Sequence, residues 1–281
     1  MKKYLSVLLL GVILLMSSGC GKNIFSTFVD EEDQSSLSAK LDNASSASDY
    51  QEIIEDSESI INSGSASNEE KQTAYYVKAE ATLGKSDLST LDLFADIANA
   101  ADDEDASALN MFDTQGNYEA LLTASEAISS ADSIASTENV TNDQNLIKGV
   151  VNTLIVVDRV KNVFDVSSTG NMTVKDEESN VWDSLVAMVK PQGEESSVNL
   201  SDFSQAAKDG FTDSDSLKDD QLTDIDDIND KIIESEQLYA AVKKGGTFDG
   251  VTYPGLEGDA SPTEEELISI ENQLDGIFEE D

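Results

Sequence analysis

Apolar residues recur every three or four positions in most segments of this chain, a spacing that places them on one face of an α-helix. The chain has 3 prolines in 281 residues, so few helices would be interrupted. Residues 247–252 differ, because Asp249 and Gly250 form a favoured two-residue turn between short strands. The sequence therefore predicts an all-α fold with at most one small β-hairpin near the C-terminus. The predicted helices cover residues 50–61, 67–84, 88–97, 118–128, 146–164, 181–189, 200–207, 225–244 and 261–278.

Two of these helices carry sequence signals for their first residues. Ser67 and Glu70 have the spacing of a capping box, in which each side chain accepts a hydrogen bond from the other residue's N–H group. Ser261, Pro262 and Glu264 place a capping residue before a proline in the first turn. These signals predict helix starts at both positions.

One helical pattern occurs twice. The first set of five residues begins at Tyr50 and the second at Tyr118, so they lie 68 residues apart, which is twice the 34-residue period of tetratricopeptide repeats. Residues 48–165 therefore resemble a tetratricopeptide array. Ala81 and Gly84 stand at positions where that family packs helices closely. Gly84 is also the expected end of the helix predicted over 67–84. The resemblance implies stacked helix–turn–helix units. An irregular helical bundle is the alternative, because the segment between the two sets keeps little of the pattern. The matched sets are Tyr50, Ile53, Ile54, Ser57 and Ile60, and Tyr118, Leu121, Leu122, Ser125 and Ile128.

The N-terminus has the three parts of an export signal. Lys2 and Lys3 are followed by a largely apolar run over residues 5–16, which is shorter than the roughly 20 residues of a membrane-spanning helix. Gly19 and other small residues then precede Cys20, the only cysteine of the chain. This arrangement resembles the lipobox of bacterial lipoproteins, although Ser17 stands where the family prefers leucine.

The resemblance implies a domain order and a location. Residues 1–19 would be a cleaved signal peptide, Cys20 would carry the lipid, and residues 20–47 would be a flexible tether, since they are mainly polar. Several acyl chains anchor a protein far more firmly than one chain does. Gly21, in place of the aspartate that signals inner-membrane retention, favours the outer membrane if the cell is Gram-negative. The body would comprise residues 48–165 and a C-terminal helical region, 166–281, packed on it.

The net charge of −40 constrains the partners of the protein. Such a charge repels nucleic acid and anionic lipid, so a nucleic-acid partner is excluded. Solubility explains the acidity, and selective binding of a basic partner or weak binding of a divalent cation such as calcium is the alternative. The acidic run after Asp213 fails the calcium-hand template, because its sixth and twelfth positions are Lys218 and Asp224 instead of Gly and Glu.

The chain lacks the residues of several common chemistries. It contains no histidine and no cysteine besides Cys20, which excludes His-based catalysis, Cys nucleophiles and His/Cys metal or haem sites. No motif singles out a serine or carboxylate as a nucleophile. We therefore expect no catalytic residues, no metal site and no cofactor, and the chain is not expected to be an enzyme.

Two residues are candidates for ligand binding. Arg159, the only arginine, lies in the apolar segment 146–164, whose length and polar positions predict a mostly buried central helix. Its guanidinium would pair with a carboxylate such as Asp158 or bind an anionic ligand in a cleft. Trp182, the only tryptophan, would be a core anchor or a stacking platform for a sugar or peptide.

These observations lead to two functional hypotheses. The first is a lipid-anchored, non-catalytic scaffold or adaptor of the cell envelope that binds a protein partner through its helical array. The second is a solute-binding lipoprotein serving a transporter, which requires Arg159 and Trp182 to share one solvent-accessible cavity.

Overall fold

The computed structural model describes residues 37–88, 117–134, 140–166, 172–175, 181–194, 196–214, 219–257 and 260–278. The predicted leader, Cys20 and nearly all of the helix expected over 88–97 lie outside these ranges. The described chain is helical apart from two small sheets, so the all-α prediction is confirmed. The elements are α1 (Leu37–Asn43), α2 (Ala47–Ile61), α3 (Asn68–Lys85), α4 (Tyr118–Ile134), α5 (Asn142–Val163), β1 (Phe164–Val166), β2 (Met172–Val174), α6 (Val181–Val189), α7 (Leu200–Asp213), α8 (Asp219–Lys244), β3 (Gly246–Phe248), β4 (Val251–Tyr253) and α9 (Glu264–Phe278).

Helix α3 begins with the predicted capping box. The Ser67 N–H donates to the Glu70 carboxylate at 2.7 Å, and the Glu70 N–H donates to the Ser67 hydroxyl at 3.2 Å. Ser46 and Asp49 cap α2 in the same way. These contacts satisfy N–H groups that a helix N-terminus leaves without partners.

The start of α9 differs from the prediction. Thr263 and Glu266 form the reciprocal contacts, with the Thr263 N–H donating to Glu266 at 2.7 Å, and the helix begins at Glu264. The cap is therefore two residues beyond Ser261, because Glu266 supplies the returning carboxylate.

The prediction that residues 20–47 are a flexible tether is wrong for residues 37–43, which form α1. Leu41 is buried with Ile53, Val77 and Ala81 in a small apolar cluster shared by α1, α2 and α3. Lys40 pairs with Glu52 of α2 at 3.2 Å. The polar composition of this segment does not predict a helix. The short helix is stabilised instead by the tertiary contacts of its single buried leucine.

Helices α2, α3 and α4 pack side by side, with α3 between the other two. The two matched sequence sets agree in part, since Ile53 and Leu121 are buried and so are Ser57 and Ser125, whereas Leu122 and Ile128 are buried but Ile54 and Ile60 are only partly buried. Side-by-side packing of successive helices occurs in tetratricopeptide arrays and in irregular bundles, so the resemblance to tetratricopeptide repeats stays a prediction.

Gly84 was predicted to end α3, but the helix continues to Lys85. The chain leaves the helix through Asp87, whose φ of 57° is left-handed. Gly84 instead serves close packing, because a Cβ atom there would lie 2.5 Å from the Tyr50 ring. Tyr50 of α2 thus rests directly on the α3 backbone.

Helix α5 is the buried centre of the molecule and packs on α4, α6 and α7. Its predicted helical conformation is confirmed up to Val163, where the chain passes into β1. At the crossing with α7 the backbones approach closely, since a Cβ on Gly210 would lie 2.4 Å from the Gly149 nitrogen. Side chains from residues 48–165 and from residues 166–281 belong to this same hydrophobic core.

The hairpin predicted around Asp249 and Gly250 is present, with Phe248 opposite Val251 and positive φ angles of 40° and 77° at the two turn residues. A second hairpin, β1–β2, contradicts the expectation of at most one. Its strands are three residues each, too short to show the alternating pattern that identifies strands in a sequence. Within the part of the chain described, no helix is both long and apolar enough to span a membrane.

Candidate ligand-binding cavity

A cavity of about 320 Å³ opens beside α6. One of its sides is formed by α6 and the other by α5 together with the loop that follows α6. Its lining combines four apolar with four charged side chains, and small-molecule sites likewise combine apolar surface with polar groups that orient the ligand. The lining residues are Arg159, Trp182, Asp183, Val186, Ala187, Lys190, Pro191, Gly193 and Glu194.

Helix α6 supplies four of these residues, and Lys190, which directly follows it, continues the same periodicity. Trp182, Val186 and Lys190 are four residues apart, and Asp183 and Ala187 are displaced from them by one position, so all five lie along one side of the helix. Pro191 follows α6, as predicted for its end, and removes the donor that a further turn would need. The opposite side of α6 is buried in the core through Val181, Leu185, Met188 and Val189.

Arg159 projects from α5 to the cavity with its side chain 13% exposed. Its guanidinium carbon lies 3.1 Å from the centroid of the Tyr118 ring, and its Nη2 is 3.4 Å from the Asp158 carboxylate. The predicted pairing with Asp158 is therefore present. The Nε–H is buried and has no hydrogen-bond partner among the described residues, which is energetically costly for a polar donor.

Tyr118 holds this arginine in place. Its hydroxyl donates to the Pro191 carbonyl at 2.7 Å and so joins α4 to the loop after α6. Burial raises the pKa of Tyr118, while the neighbouring Arg159 opposes the shift. The phenol therefore stays neutral, and its ring faces the cation.

Trp182 is 8% exposed and belongs to the hydrophobic core, which agrees with the core-anchor role considered for it. Its ring stacks on Tyr239 of α8, with centroids 5.4 Å apart and planes 14° apart. The Tyr239 hydroxyl donates to Glu194 at 3.2 Å, and Lys243 pairs with the same carboxylate at 2.7 Å. The hydrogen bond from Lys243 lowers the pKa of Glu194, so that this carboxylate is ionised.

Lys190 and Asp183 differ in their partners. The Lys190 ammonium donates to the Asn199 side-chain oxygen at 2.6 Å and to the Ser196 carbonyl at 3.1 Å, and both acceptors are uncharged. Asp183 is exposed in the first turn of α6 and has no ionic or hydrogen-bond partner within the described ranges. Neither charge is neutralised by a direct ion pair there.

The structure thus brings Arg159 and Trp182, 23 positions apart, to one cavity. Sequence reasoning missed Tyr118, Asp183, Lys190 and Glu194. The four-residue spacing from Trp182 to Lys190 was a usable signal for α6, whereas Tyr118 and Glu194 arrive through tertiary contacts that no local pattern encodes.

The described residues hold no group of three carboxylates placed to bind a metal ion. No protein-family model, no curated protein and no solved structure matches this chain. A function for this chain is therefore inferred from the geometry of the cavity.

Proposed function

We propose that this chain is a lipid-anchored, non-catalytic binding protein of the bacterial cell envelope that holds a small solute in the cavity beside α6. The observation that carries the proposal is that Arg159 and Trp182 line the same cavity. The lipid anchor at Cys20 and a location in the outer membrane belong to the proposal through the lipobox resemblance alone.

The cavity has the features of a preformed site. Arg159 is fixed by Tyr118 and Asp158, and Trp182 is fixed by Tyr239. Side chains that are already ordered lose little conformational entropy when a ligand binds. A tightly held aromatic side chain and an ordered cation can therefore contribute most of their interaction energy to affinity.

The scaffold hypothesis is a second proposal. The side-by-side packing of α2, α3 and α4 favours it, because helical arrays present extended surfaces to protein partners. Crosslinking of intact envelopes followed by purification of this chain tests it, and the recovery of no protein partner would count against it.

Trp182 supplies a direct measurement for the solute proposal, since it is the only tryptophan. A panel of amino acids, short peptides, sugars and carboxylic acids is titrated against the full chain in detergent while tryptophan emission is recorded. We expect at least one class to produce a saturable change. Arg159→Gln should weaken that binding by about tenfold, equivalent to about 1.4 kcal/mol.

Two further variants separate binding from folding. Ala187→Leu fills the cavity without removing a charge and should also abolish the response, whereas Lys208→Gln on α7 should leave it unchanged. Circular dichroism checks that each variant is folded. If no class changes the emission, or if Ala187→Leu binds like the unaltered chain, the proposal is wrong.

A further inference from the structure

The charges of the cavity lie at opposite ends of one helix face. Asp183 is in the first turn of α6 and Lys190 directly follows its last turn. Seven residues separate them, and at about 1.5 Å per residue this places their backbones about 10 Å apart along the helix axis. Val186 and Ala187 lie between them, so the face is acidic, then apolar, then basic.

Arg159 belongs to the basic end. Its guanidinium is stacked on Tyr118, and the Tyr118 hydroxyl is bonded to Pro191, the residue next to Lys190. Arg159 and Lys190 therefore both line the cavity on the side of the C-terminal end of α6. Lys190 donates to uncharged oxygens and therefore keeps a capacity to bind an anion, while Arg159, which is paired with Asp158, adds a second positive charge to the same end.

Glu194 lies toward the acidic end. After Pro191 the chain reverses through Gly193, whose φ of 100° suits glycine. Glu194 then reaches Tyr239, the residue on which Trp182 is stacked. Lys243 neutralises Glu194, so Asp183 remains the carboxylate that is available to a cation.

From this arrangement we propose that the cavity binds a short peptide of three residues with free termini. Its ammonium group would lie at Asp183, its carboxylate at Lys190 and Arg159, and an apolar side chain against Trp182. An extended chain spans about 3.3–3.6 Å per residue, so three residues match a separation of about 10 Å. A single amino acid is too short to reach both ends.

This inference depends on the proposed solute-binding function and specifies its ligand. The acidic and basic ends of α6 also suit the helix dipole, which favours anions at the N-terminus and cations at the C-terminus. A purely structural role of Asp183 would affect stability and leave ligand binding unchanged. The two explanations are therefore separable by experiment.

The test uses four probes with the full chain in detergent: trialanine, N-acetyl-trialanine, trialanine amide and alanine. Trialanine should change Trp182 emission saturably, and blocking either terminus should weaken binding by about tenfold or more. Asp183→Asn should weaken trialanine binding by about tenfold yet have no effect on the acetylated peptide, because the ammonium that Asp183 contacts is then absent. Glu265→Gln removes an exposed first-turn carboxylate of α9 and is the matched control.

The possible outcomes are distinct. Equal binding of free and blocked peptides, or tight binding of alanine, would overturn the peptide inference. An Asp183→Asn variant that loses stability but binds trialanine normally would assign Asp183 to the helix dipole alone. If trialanine fails while another solute class binds in an Arg159-dependent way, the peptide inference is wrong and the solute-binding function stands.

Discussion

Gly210 and Gly149 lie where α7 crosses α5, and neither position has room for a larger residue. A Cβ on Gly210 would be 2.6 Å from the Asn145 carbonyl oxygen, and one on Gly149 would be 2.9 Å from the Phe211 ring. Backbone atoms cannot move aside as the end of a flexible side chain can. These two residues therefore determine how closely α5 and α7 approach each other. They thereby affect the position of α5, from which Arg159 projects to the cavity.

Gly210→Ala should destabilise the protein by about 1–3 kcal/mol or more, because the added methyl group forces the two helices apart. Gly276→Ala is the matched control, since Gly276 is also helical but exposed, and a Cβ atom there would meet nothing within 4 Å. The control should be neutral or more stable by up to about 1 kcal/mol, because alanine favours helix. Urea unfolding measures both, and equal effects would contradict the packing role assigned to Gly210.

The ends of two helices respond to pH in opposite ways. At the start of α7, Glu236 of α8 accepts hydrogen bonds from the Ser201 N–H at 2.8 Å and from its hydroxyl at 2.9 Å. Burial nevertheless raises the pKa of Glu236. At the start of α3, the Ser67 N–H and hydroxyl lower the pKa of the exposed Glu70.

Glu236→Gln should therefore change the pH dependence of stability. The native state holds the Glu236 proton more tightly than the unfolded chain does, so its contribution to stability is lost as pH rises through the raised pKa. The variant should gain stability relative to the unaltered protein as pH increases from about 4 to 7. Glutamine keeps an acceptor for Ser201, which limits the structural change.

Glu70→Gln should show the opposite trend, because a lowered native pKa makes the contribution of Glu70 present above the unfolded pKa and lost as pH falls through the native value. Denaturant unfolding measures the two slopes, from about pH 4 to 7 for Glu236→Gln and below about pH 5 for Glu70→Gln, because the two pKa values shift in opposite directions from the ordinary glutamate value. Slopes of the same sign would contradict the assigned shifts.

At the scale of the whole molecule, an acidic helical body is expected to be tethered by one lipidated cysteine. The net charge of −40 would repel an anionic membrane surface, so under the proposed location a covalent anchor would be needed to keep the body there. Residues 37–43 belong to the folded part, which leaves a shorter connection to Cys20 than the sequence suggested.

Cys20→Ser should abolish palmitate labelling and release the body from membranes without altering its unfolding curve. Gly21→Asp is the control, since it keeps the cysteine and should keep the label while favouring retention in the inner membrane. Metabolic labelling and fractionation measure both. Labelling that persists in Cys20→Ser would refute the lipid anchor.

Most helices were predictable because their signals are local. The capping box at Ser67, the turn at Asp249 and Gly250, and the end of α6 before Pro191 depend on residues within a few positions of one another. The helix α1 and the hairpin β1–β2 were missed because they are short and gain stability from distant contacts.

The sequence by itself determined the helical class, the boundaries of the predicted helices to within six residues where the structure describes them, and two candidate residues, Arg159 and Trp182. Only the tertiary structure decided that these residues share a cavity. Tyr118 meets Pro191 across 73 positions, and Glu194 returns to Tyr239 across 45. Hydrogen bonds within a helix depend on near neighbours, whereas a cavity forms where separate segments pack together, so its lining depends on the whole core.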